Sequence, residues 1–466
     1  MPALPESLRT ELRQLLGAEF FIESGEMLTT LSQDFFWYSP VLKPQLDPLR
    51  ADGIVRPGSI DELRQVVAAC FRAGVPITAR GGGTGNYGQC VPLHGGVVAD
   101  LTRLNRLHSI SDGVVRAEPG VRLGTIETAA RAAGWELRCF PSTWVKATLG
   151  GFLCGGSGGI GGIRWGGTRS GDTVKSITLL TCEAEPRLVQ LQEGDALRGL
   201  RTFGTTGLMV DIELRLAPAI AYDQLALSSP DWETLLAWTD AAARNGTWRK
   251  RLVAQFEWPI PSFFKPLKKY FRDGDHVSFL LVDRAQSLAV LAAAEAAGLG
   301  CVFHQPLADP PKPPFLTDYT WNHTTLWAMQ QEPDITYLQT GFGSNFREQF
   351  AELKRRFPGE ILLHLEWLTS DPKRSVGPNT SPEAFIVCGI PLVRFKDGIR
   401  LNEITACCAE IGIALNNPHT VYVEDGGRHP DLPAKLALKA EVDPHGLLNP
   451  GKMRTFPLNP FAAARS

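Results

Sequence analysis

Residues 79–88 read ARGGGTGNYG, and the six residues from Gly83 to Gly88 fit the pattern G-x-G-x-x-G. A dinucleotide site of the Rossmann type needs a strand before these glycines and a helix directly after them, because the helix N-terminus binds the pyrophosphate. VPITAR (75–80) predicts the strand, but QCVPLHGG (89–96) contains a proline and paired glycines that exclude the helix. The next segment, VVADL (97–101), is again a strand. The loop therefore joins two strands, and the Rossmann interpretation fails.

A kinase glycine loop is a second interpretation of the same letters. Kinases carry a strand lysine, an HRD catalytic loop and a DFG motif, and none of these follows in the sequence. A strand–loop–strand segment can still bind an anion, since successive backbone N–H groups form a nest. Glycine permits the positive φ angles and the close approach that a nest needs. We therefore expect this loop to bind a pyrophosphate.

A second glycine-rich segment, GGFLCGGSGGIGGIRWGG (150–167), contains the same pattern from Gly156 to Gly161. A flexible linker is the alternative interpretation. The segment carries Phe152, Ile163 and Trp165, which a linker does not need, and it lies between two ordered patterns. We expect no helix after Gly161. Two nests in one domain suit a ligand with an extended diphosphate and a large planar group.

Length and composition set the class of protein. A chain of 466 residues predicts two or three domains. The net charge of −2 provides no basic field for nucleic acid. Nine irregularly spaced cysteines without a C-x-x-C pair indicate reduced thiols and a cytoplasmic location. No stretch has the pattern of a signal peptide or a transmembrane segment.

Five runs of sequence occur in an order that carries a resemblance. They are residues 54–88, EPGVRLGTI (118–126), PSTWVKATLGG (141–151), FGTTGLMVDIELRLAP (203–218) and DPHGLLNPGKM (443–453). Together they resemble the FAD-binding domain of the vanillyl-alcohol oxidase superfamily, whose members include bacterial D-lactate and glycolate dehydrogenases. The resemblance implies an α+β protein with a PCMH-type FAD-binding domain of two α+β subdomains, a substrate (cap) domain, and FAD as cofactor.

The resemblance also implies which residues contact FAD. With the glycines of the second segment added, the expected cofactor-binding residues are Arg80, Gly81, Gly82, Gly83, Thr84, Gly85, Asn86, Gly88, Pro141, Ser142, Thr148, Gly150, Gly151, Gly158, Gly161, Gly204, Thr206, Gly207, Leu208, Asn449 and Lys452. Many relatives link the flavin to a histidine at the position of Thr84. The threonine implies a non-covalent FAD, and a tether from Cys154 is the alternative.

The chain divides into four predicted parts. They are an N-terminal helical segment (1–44), the FAD-binding domain (45–218), the cap domain (219–417) and a C-terminal segment that returns to the FAD domain (418–466). Periodicity in the cap predicts two successive βαββαβ units of the ferredoxin type. QFEW (255–258) in the first unit is similar to HLEW (364–367) in the second, which favours two related halves over chance similarity.

Alternation along the second of these strands separates two faces. Leu363, Leu365 and Trp367 share one face, and His364 and Glu366 share the other. By the same reasoning, we expect residues 255 and 257 of the first unit to lie on the polar face. This polar face would cover the flavin and bind substrate. A surface that only meets solvent is the alternative.

The candidate catalytic residues are polar groups in or near the cap. His364 is the expected base, and Glu366 would hold one of its tautomers. His323 lies in the connection between the two units, and His419 lies where the chain returns to the FAD domain. Arg394 follows a buried strand and could bind a carboxylate. Surface roles are the alternative for these last three.

The D-2-hydroxyacid dehydrogenase branch of the superfamily carries a GDGNxH-type stretch and an EHG motif that are associated with a metal. The first is absent here, and the nearest counterpart of the second is Glu424-Asp425-Gly426, so we expect no metal. The leading hypothesis is an FAD-dependent dehydrogenase or oxidase of a small alcohol, with a hydroxy acid such as D-lactate or glycolate as substrate. A non-catalytic flavin-binding or electron-transfer subunit is the alternative, and a plain nucleotide-binding protein is the third hypothesis. The acceptor (quinone, oxygen or a redox partner) is not indicated.

Overall fold

The computed structural model describes residues 4–156, 158–169, 172–308, 314–374, 381–425 and 431–456. The α-helices of these residues, α1 to α14 in chain order, are Glu6–Leu16, Glu26–Leu31, Lys43–Leu46, Ile60–Ala73, Leu123–Ala132, Leu149–Gly155, Gly162–Trp165, Trp232–Arg244, Ile260–Phe263, Ser287–Ala296, Asn322–Met329, Phe346–Arg356, Gly398–Glu410 and Leu432–Val442. The strands, β1 to β21, are Phe21–Ile22, Gly53–Val55, Ile77–Arg80, Val97–Asp100, Leu107–Ser111, Val114–Ala117, Trp135–Leu137, Val174–Leu180, Leu188–Gln192, Leu208–Pro218, Tyr222–Ser229, Lys250–Phe256, His276–Asp283, Gly300–Pro306, Ile335–Tyr337, Gln339–Gly341, Ile361–Leu362, His364–Thr369, Phe385–Gly389, Leu392–Arg394 and Ala414–Asn416. The protein is a mixed α+β structure, and none of the helices described is long and apolar enough to cross a membrane.

A four-stranded sheet in the order β1-β2-β4-β3 positions the first glycine loop. The preceding helix, α4, begins at Ser59, whose hydroxyl oxygen accepts a hydrogen bond from the N–H of Glu62 (3.1 Å), and it ends at Gly74 with φ 62°. β3 then pairs in parallel with β4. No helix lies between these two strands, so the predicted strand–loop–strand arrangement is confirmed.

A second sheet, β5-β6-β10-β8-β9 with β7 against β10, surrounds the second glycine segment. The prediction that no helix follows Gly161 is wrong, because α7 forms one turn there. Gly161 has φ 95° and donates its N–H to the carbonyl oxygen of Arg251 (2.7 Å), which fixes the start of the turn. Ile163 is buried, and Gly166 ends the turn with φ 72°. Burial of the Ile163 side chain thus stabilises a helical turn that the high glycine content disfavours.

The third sheet has eight antiparallel strands in the order β14-β11-β13-β12-β18-β19-β16-β21. β12 and β18 are neighbours at its centre. One face packs against α8, α10, α12 and α13, and Leu363, Leu365 and Trp367 lie in this core as predicted. The opposite face carries Phe256 and Glu366. Strands β15, β20 and β17 form a separate three-stranded sheet in that order.

The prediction that residues 255 and 257 share a face with His364 is wrong. Across the β12–β18 pair, Gln255 lies opposite Leu365, and Phe256 lies opposite His364. The side chain of Gln255 accepts a hydrogen bond from Ser278 (3.4 Å) beneath α8, and Glu257 forms an ion pair with Lys354 of α12 (2.6 Å). Both polar side chains therefore point toward the helices. The similar letters QFEW and HLEW do not correspond to similar orientations.

Buried charged side chains join the eight-stranded sheet to helix α5 and strand β7 of the predicted FAD-binding domain. Arg251 of β12 donates a hydrogen bond from Nη1 to Glu127 of α5 (2.8 Å), and the same nitrogen lies 3.7 Å from Glu136 of β7. Its Nη2 donates to the carbonyl oxygen of Leu137 (2.9 Å). The side chains of Arg251 and both glutamates are at most 4% exposed. Arg131 of α5 pairs with the same two glutamates, so Arg251 adds a cation from the eight-stranded sheet to a charge cluster on the other side.

The C-terminal segment returns to the first sheet. The N–H of Ile77 donates to the carbonyl oxygen of Leu447 (2.8 Å), and the N–H of Asn449 donates to the carbonyl oxygen of Ile77 (2.8 Å). The buried ammonium of Lys439 donates to Asp443 (2.7 Å) and to the carbonyl oxygen of Thr205 (3.0 Å). The segment is therefore fixed beside the strand that leads into the first glycine loop.

Replacing Arg251 by alanine should lower the free energy of unfolding by about 3–5 kcal/mol, because it removes one of the two buried cations that Glu127 and Glu136 share and leaves only Arg131 beside them. Denaturant unfolding followed by intrinsic fluorescence measures the change. The control is Arg347→Ala, which removes an exposed ion pair with Glu233 and should cost less than about 1 kcal/mol. Equal losses in the two variants would contradict a structural role for the buried network.

Candidate functional site

A large cavity of about 810 Å³ lies between the glycine segments and the eight-stranded sheet. The two glycine segments and the turn around Gly204 line one side. β16, β18, β19 and β21, together with the start of α11, line the other. The cavity thus combines the predicted cofactor loops with the second half of the predicted cap.

The first glycine loop is held against the segment before α6 by direct backbone contact. A Cβ added to Gly81 would lie 2.2 Å from the hydroxyl oxygen of Thr148, and one added to Gly82 would lie 2.3 Å from the carbonyl oxygen of Lys146. Within the described structure, the N–H groups of residues 82–88 donate no hydrogen bond to the protein. Backbone N–H groups that have no protein partner, in a loop with no room for a Cβ at these glycines, form an anion nest. The loop therefore fits the diphosphate of FAD.

Charged groups adjoin this nest. Arg80 donates from Nη1 to the carbonyl oxygen of Gln33, while its buried Nε has no partner among the described residues. Lys452 donates to the carbonyl oxygen of Gly88. Burial raises the pKa of Asp34 above its ordinary value and lowers the pKa of Lys452. Two cations against one carboxyl group favour the binding of an anion here.

Most of the predicted cofactor-binding residues line the cavity, namely Arg80, Gly81, Gly82, Gly83, Thr84, Gly85, Asn86, Pro141, Ser142, Thr148, Gly150, Gly151, Gly158, Gly204, Gly207 and Leu208. Gly88, Gly161, Thr206, Asn449 and Lys452 do not line it. Asn449 instead donates from Nδ2 to the carbonyl oxygens of Gln89 (2.7 Å) and Phe203 (2.6 Å). Asn449 thus supports the loops without lining the cavity.

The N-terminal segment also supports the first loop. The N–H of Phe35 donates to the carbonyl oxygen of Gly85 (2.7 Å), and Phe35 and Tyr38 line the cavity. On the far side of the loop, Asn322 of α11 donates from Nδ2 to Asn86 Oδ1 (3.3 Å). The loop therefore contacts an N-terminal segment and the cap.

Two residues bear on a covalent link to the flavin. Thr84 lines the cavity but has a weakly nucleophilic hydroxyl. Cys154 also lines it, and burial raises the pKa of its thiol to about 12. A thiol with that pKa is protonated at neutral pH, whereas the thiolate is the nucleophile. Both positions are therefore consistent with the predicted non-covalent FAD.

Glu366 borders the cavity, whereas His364 lies behind it. Glu366 Oε1 lies 2.9 Å from His364 Nε2 and accepts a second hydrogen bond from the backbone N–H of Trp321 (2.9 Å). The other oxygen, Oε2, is buried and has no partner among the described residues. His364 is fully buried and stacks on Phe256 with ring centroids 4.8 Å apart. The carboxylate, not the imidazole, therefore faces the cavity.

Burial raises the pKa of Glu366, and the hydrogen bond from His364 opposes that shift. A carboxyl group with a raised pKa is suited to proton transfer near neutral pH. Trp321, which donates to Glu366, has φ 53°, a conformation that is an outlier for a bulky residue. Its indole Nε1 is buried without a partner among the described residues, and its side chain lines the cavity. The strained backbone of Trp321 and its unpaired indole N–H therefore lie beside the Glu366 carboxylate.

The other candidate residues are distributed over the structure. His323 lines the cavity, and burial lowers its pKa to about 4, so its ring is neutral at physiological pH. His419 does not line the cavity; its ring nitrogens lie 2.8 Å from the hydroxyl of Ser39 and 2.9 Å from the carbonyl oxygen of Tyr337. Arg394 is also outside the lining and donates to Glu332 (2.9 Å). Only His323 of these three lines the same cavity as Glu366.

The described residues contain no group of three or more His, Cys, Asp or Glu side chains that could hold an ion. Asp425 of the EHG-like stretch is engaged by Arg454 and Thr420, and Gly426 lies outside the described residues.

Sequence reasoning did not select Trp321, Asn322, Gln339, Asn416 or Arg201, which also line the cavity. Gln339 and Asn416 lie directly opposite each other on β16 and β21, a long-range pairing for which the sequence offers no local signal. Arg201 has no signal either, since it lies in an irregular segment before the third glycine run.

Comparisons with known proteins agree with this geometry. Residues 51–188 match the FAD binding domain family. The chain is 28% identical over 168 residues to glycolate oxidase subunit GlcD of Bacillus subtilis, covering 36% of this chain and 34% of the relative. It is 29% identical over 180 residues to D-lactate dehydrogenase of Anaerostipes hadrus, covering 36% of this chain and 37% of the relative. The matches thus span about a third of these relatives' lengths.

A solved structure, alkyldihydroxyacetonephosphate synthase, is similar over nearly the whole chain. The TM-score is 0.70 with 14% identity, covering 97% of this chain and 87% of that one. At this identity, the similarity concerns the fold alone. The domain match and the two glycine nests lead to one conclusion: residues 51–188 form an FAD-binding domain, and the cofactor of this protein is FAD.

Proposed function

We propose that this protein oxidises the CH–OH group of a small polar alcohol, with a hydroxy acid such as D-lactate or glycolate as the substrate class. The observation that carries the proposal is the buried, unpartnered Oε2 of Glu366 at the cavity wall. The two hydroxy-acid relatives support the choice of substrate.

The residues that would hold FAD are those that close the first nest and line the cavity. The free amides of residues 82–88 and the cation of Arg80 suit the diphosphate. When bound, FAD supplies the acceptor for the hydride that leaves the carbinol carbon. The protein must supply a base for the hydroxyl proton and must fix the position of the alcohol.

Glu366 is the proposed base. His364 and the backbone N–H of Trp321 both occupy Oε1, which leaves Oε2 to accept a hydrogen bond from the substrate hydroxyl. The two bonds also fix the orientation of the carboxylate, so His364 is a positioning residue. Because burial favours the neutral acid, the carboxylate takes the proton readily as the carbinol is oxidised.

Asn322 and His323 provide the remaining polar groups near the base. Oδ1 of Asn322 is buried without a partner in the described structure and can accept a hydrogen bond from a second substrate hydroxyl. His323 is neutral and adds no charge beside the carboxylate. We therefore propose both as substrate-binding residues.

We infer the four-part organisation given above, with residues 219–417 as the cap. The sheet order supports it, because β14-β11-β13-β12 and β18-β19-β16-β21 each match the order of a ferredoxin-like unit. Only the second unit borders the cavity. We also infer a cytoplasmic location, which the nine free cysteines support.

The variant Gly82→Val should purify without flavin, because its side chain would meet the backbone carbonyl of Lys146. The flavin-to-protein absorbance ratio measures the loss. The control is Gly194→Val, at an exposed glycine with nothing within 4 Å of an added Cβ. That variant should remain as yellow as the wild type, and full flavin occupancy in Gly82→Val would contradict the assigned nest.

The variant Glu366→Gln should retain FAD but slow anaerobic flavin reduction by an alcohol at least about a hundredfold, the lower range for loss of a general base. Stopped-flow absorbance measures the rate. An unchanged rate would remove Glu366 from the mechanism. A wild-type flavin that no alcohol bleaches would favour the non-catalytic flavin-binding subunit.

The pH dependence separates the base from its positioning residue. The rate of flavin reduction should fall as pH decreases through the raised pKa of Glu366, because only the carboxylate accepts a proton. His364→Ala removes a hydrogen bond that lowers this pKa, so the acid limb should move to higher pH. A rate profile with the same acid limb in both proteins would contradict the assigned pair.

A further inference from the structure

Arg201 lines the cavity and belongs to a segment with a strained backbone, which precedes Gly204 in the predicted FAD-binding domain. Arg201 has φ 52° and Phe203 has φ 53°, although side-chain-bearing residues rarely adopt this conformation. Their N–H groups donate to the carbonyl oxygens of Leu153 (3.0 Å) and Cys154 (3.2 Å). A Cβ on Gly156 would lie 2.2 Å from the Cβ of Arg201, so a glycine is required there. The backbone is thus held in an unfavourable conformation that directs this guanidinium to the cap.

The guanidinium meets only a neutral partner. Nη2 donates to Asn416 Oδ1, and Asn416 in turn donates from Nδ2 to Gln339 Oε1 (2.9 Å). The buried Nε has no partner, and no carboxylate forms an ion pair with Arg201 among the described residues. Burying a cation without an anion is costly. A ligand anion would satisfy it.

The surroundings carry an excess of positive charge. Asp431 is shared by Arg169 (3.0 Å) and Lys435 (3.1 Å), so this one carboxylate already faces two cations. Burial lowers the pKa of Lys435 to about 8, and Arg169 and Arg201 contribute to that shift. The carboxylate of Asp425 is engaged by Arg454. Asp431 also attracts Arg201, so three cations face this one carboxylate, and the excess positive charge favours an anion.

Arg201 lies far from Glu366 across the sheet. Asn416 is on β21 and Glu366 is on β18, with β19 and β16 between them. Three spacings of about 4.8 Å place these strands roughly 14 Å apart. Glycolate and D-lactate carry the carboxylate on the carbinol carbon itself. They are too short to contact both groups.

We propose that Arg201, oriented by Asn416, binds a carboxylate at the end of the substrate remote from the carbinol that Glu366 deprotonates. Within the hydroxy acids proposed above, this favours those in which several carbons separate the hydroxyl from the acid over D-lactate and glycolate, which would contact Glu366 without reaching Arg201. This inference rests on the proposed function, because it takes Glu366 as the site of the alcohol.

The test uses the FAD-loaded protein with 6-hydroxyhexanoate and its uncharged analogue, 1,6-hexanediol. Perturbation of the flavin absorbance spectrum gives the dissociation constant of each compound under anaerobic conditions. The wild type should bind the acid at least about tenfold more tightly than the diol. Arg201→Gln should abolish that preference, and Arg201→Lys should restore part of it. The charge-matched control Arg347→Gln should preserve it.

Three outcomes overturn the inference. Equal binding of acid and diol by the wild type is one, and a preference that survives in Arg201→Gln is another. The third is a weaker FAD affinity in Arg201→Gln with unchanged binding of the acid, which would assign the guanidinium to the FAD diphosphate. Arg201-dependent binding without flavin reduction by any alcohol would support the inference and refute the proposed oxidation. Flavin reduction by alcohols with no Arg201-dependent binding would do the reverse.

Discussion

The contact of Gly81 and Gly82 with Thr148 and the Lys146 carbonyl is the constraint on which the site depends. Two backbone segments approach each other more closely than any Cβ allows. This packing leaves the amides of residues 82–88 without protein partners, so a fully folded chain keeps a set of unused donors. Such donors are costly unless a ligand satisfies them. The same glycines therefore determine both the loop geometry and its affinity for a diphosphate.

The cap completes the site through a second set of constraints. Arg251 joins it to Glu127 and Glu136, and this buried network fixes the eight-stranded sheet relative to the FAD side. The sheet then presents Glu366 at the cavity wall, with both supporting donors on one oxygen. The buried Arg251 network and the Glu366 carboxylate thus both lie at the boundary between the cap and the cofactor side.

Sequence alone was sufficient for the strand–loop–strand arrangement of the first glycine loop, because proline and glycine restrict the backbone locally, but it missed the helical turn after Gly161 in the second segment. It was also sufficient for the apolar face of β18, where alternation is strict. It failed for Gln255, because the register between β12 and β18 is a long-range property that no local pattern contains. It also placed His364 ahead of Glu366, since alternation assigns a face but not which side chain reaches the cavity. Arg201 was missed because a left-handed conformation at a non-glycine residue has no signature in the sequence.

The first loop is braced from both directions along the chain. Phe35 donates to Gly85, while Asn449 and Lys452 hold the carbonyl oxygens of Gln89 and Gly88. During synthesis, these last two residues leave the ribosome more than three hundred and fifty residues after the loop that they support. The first loop is therefore fully braced only once residues 449–452 have folded back against it, so its final geometry is a late product of folding.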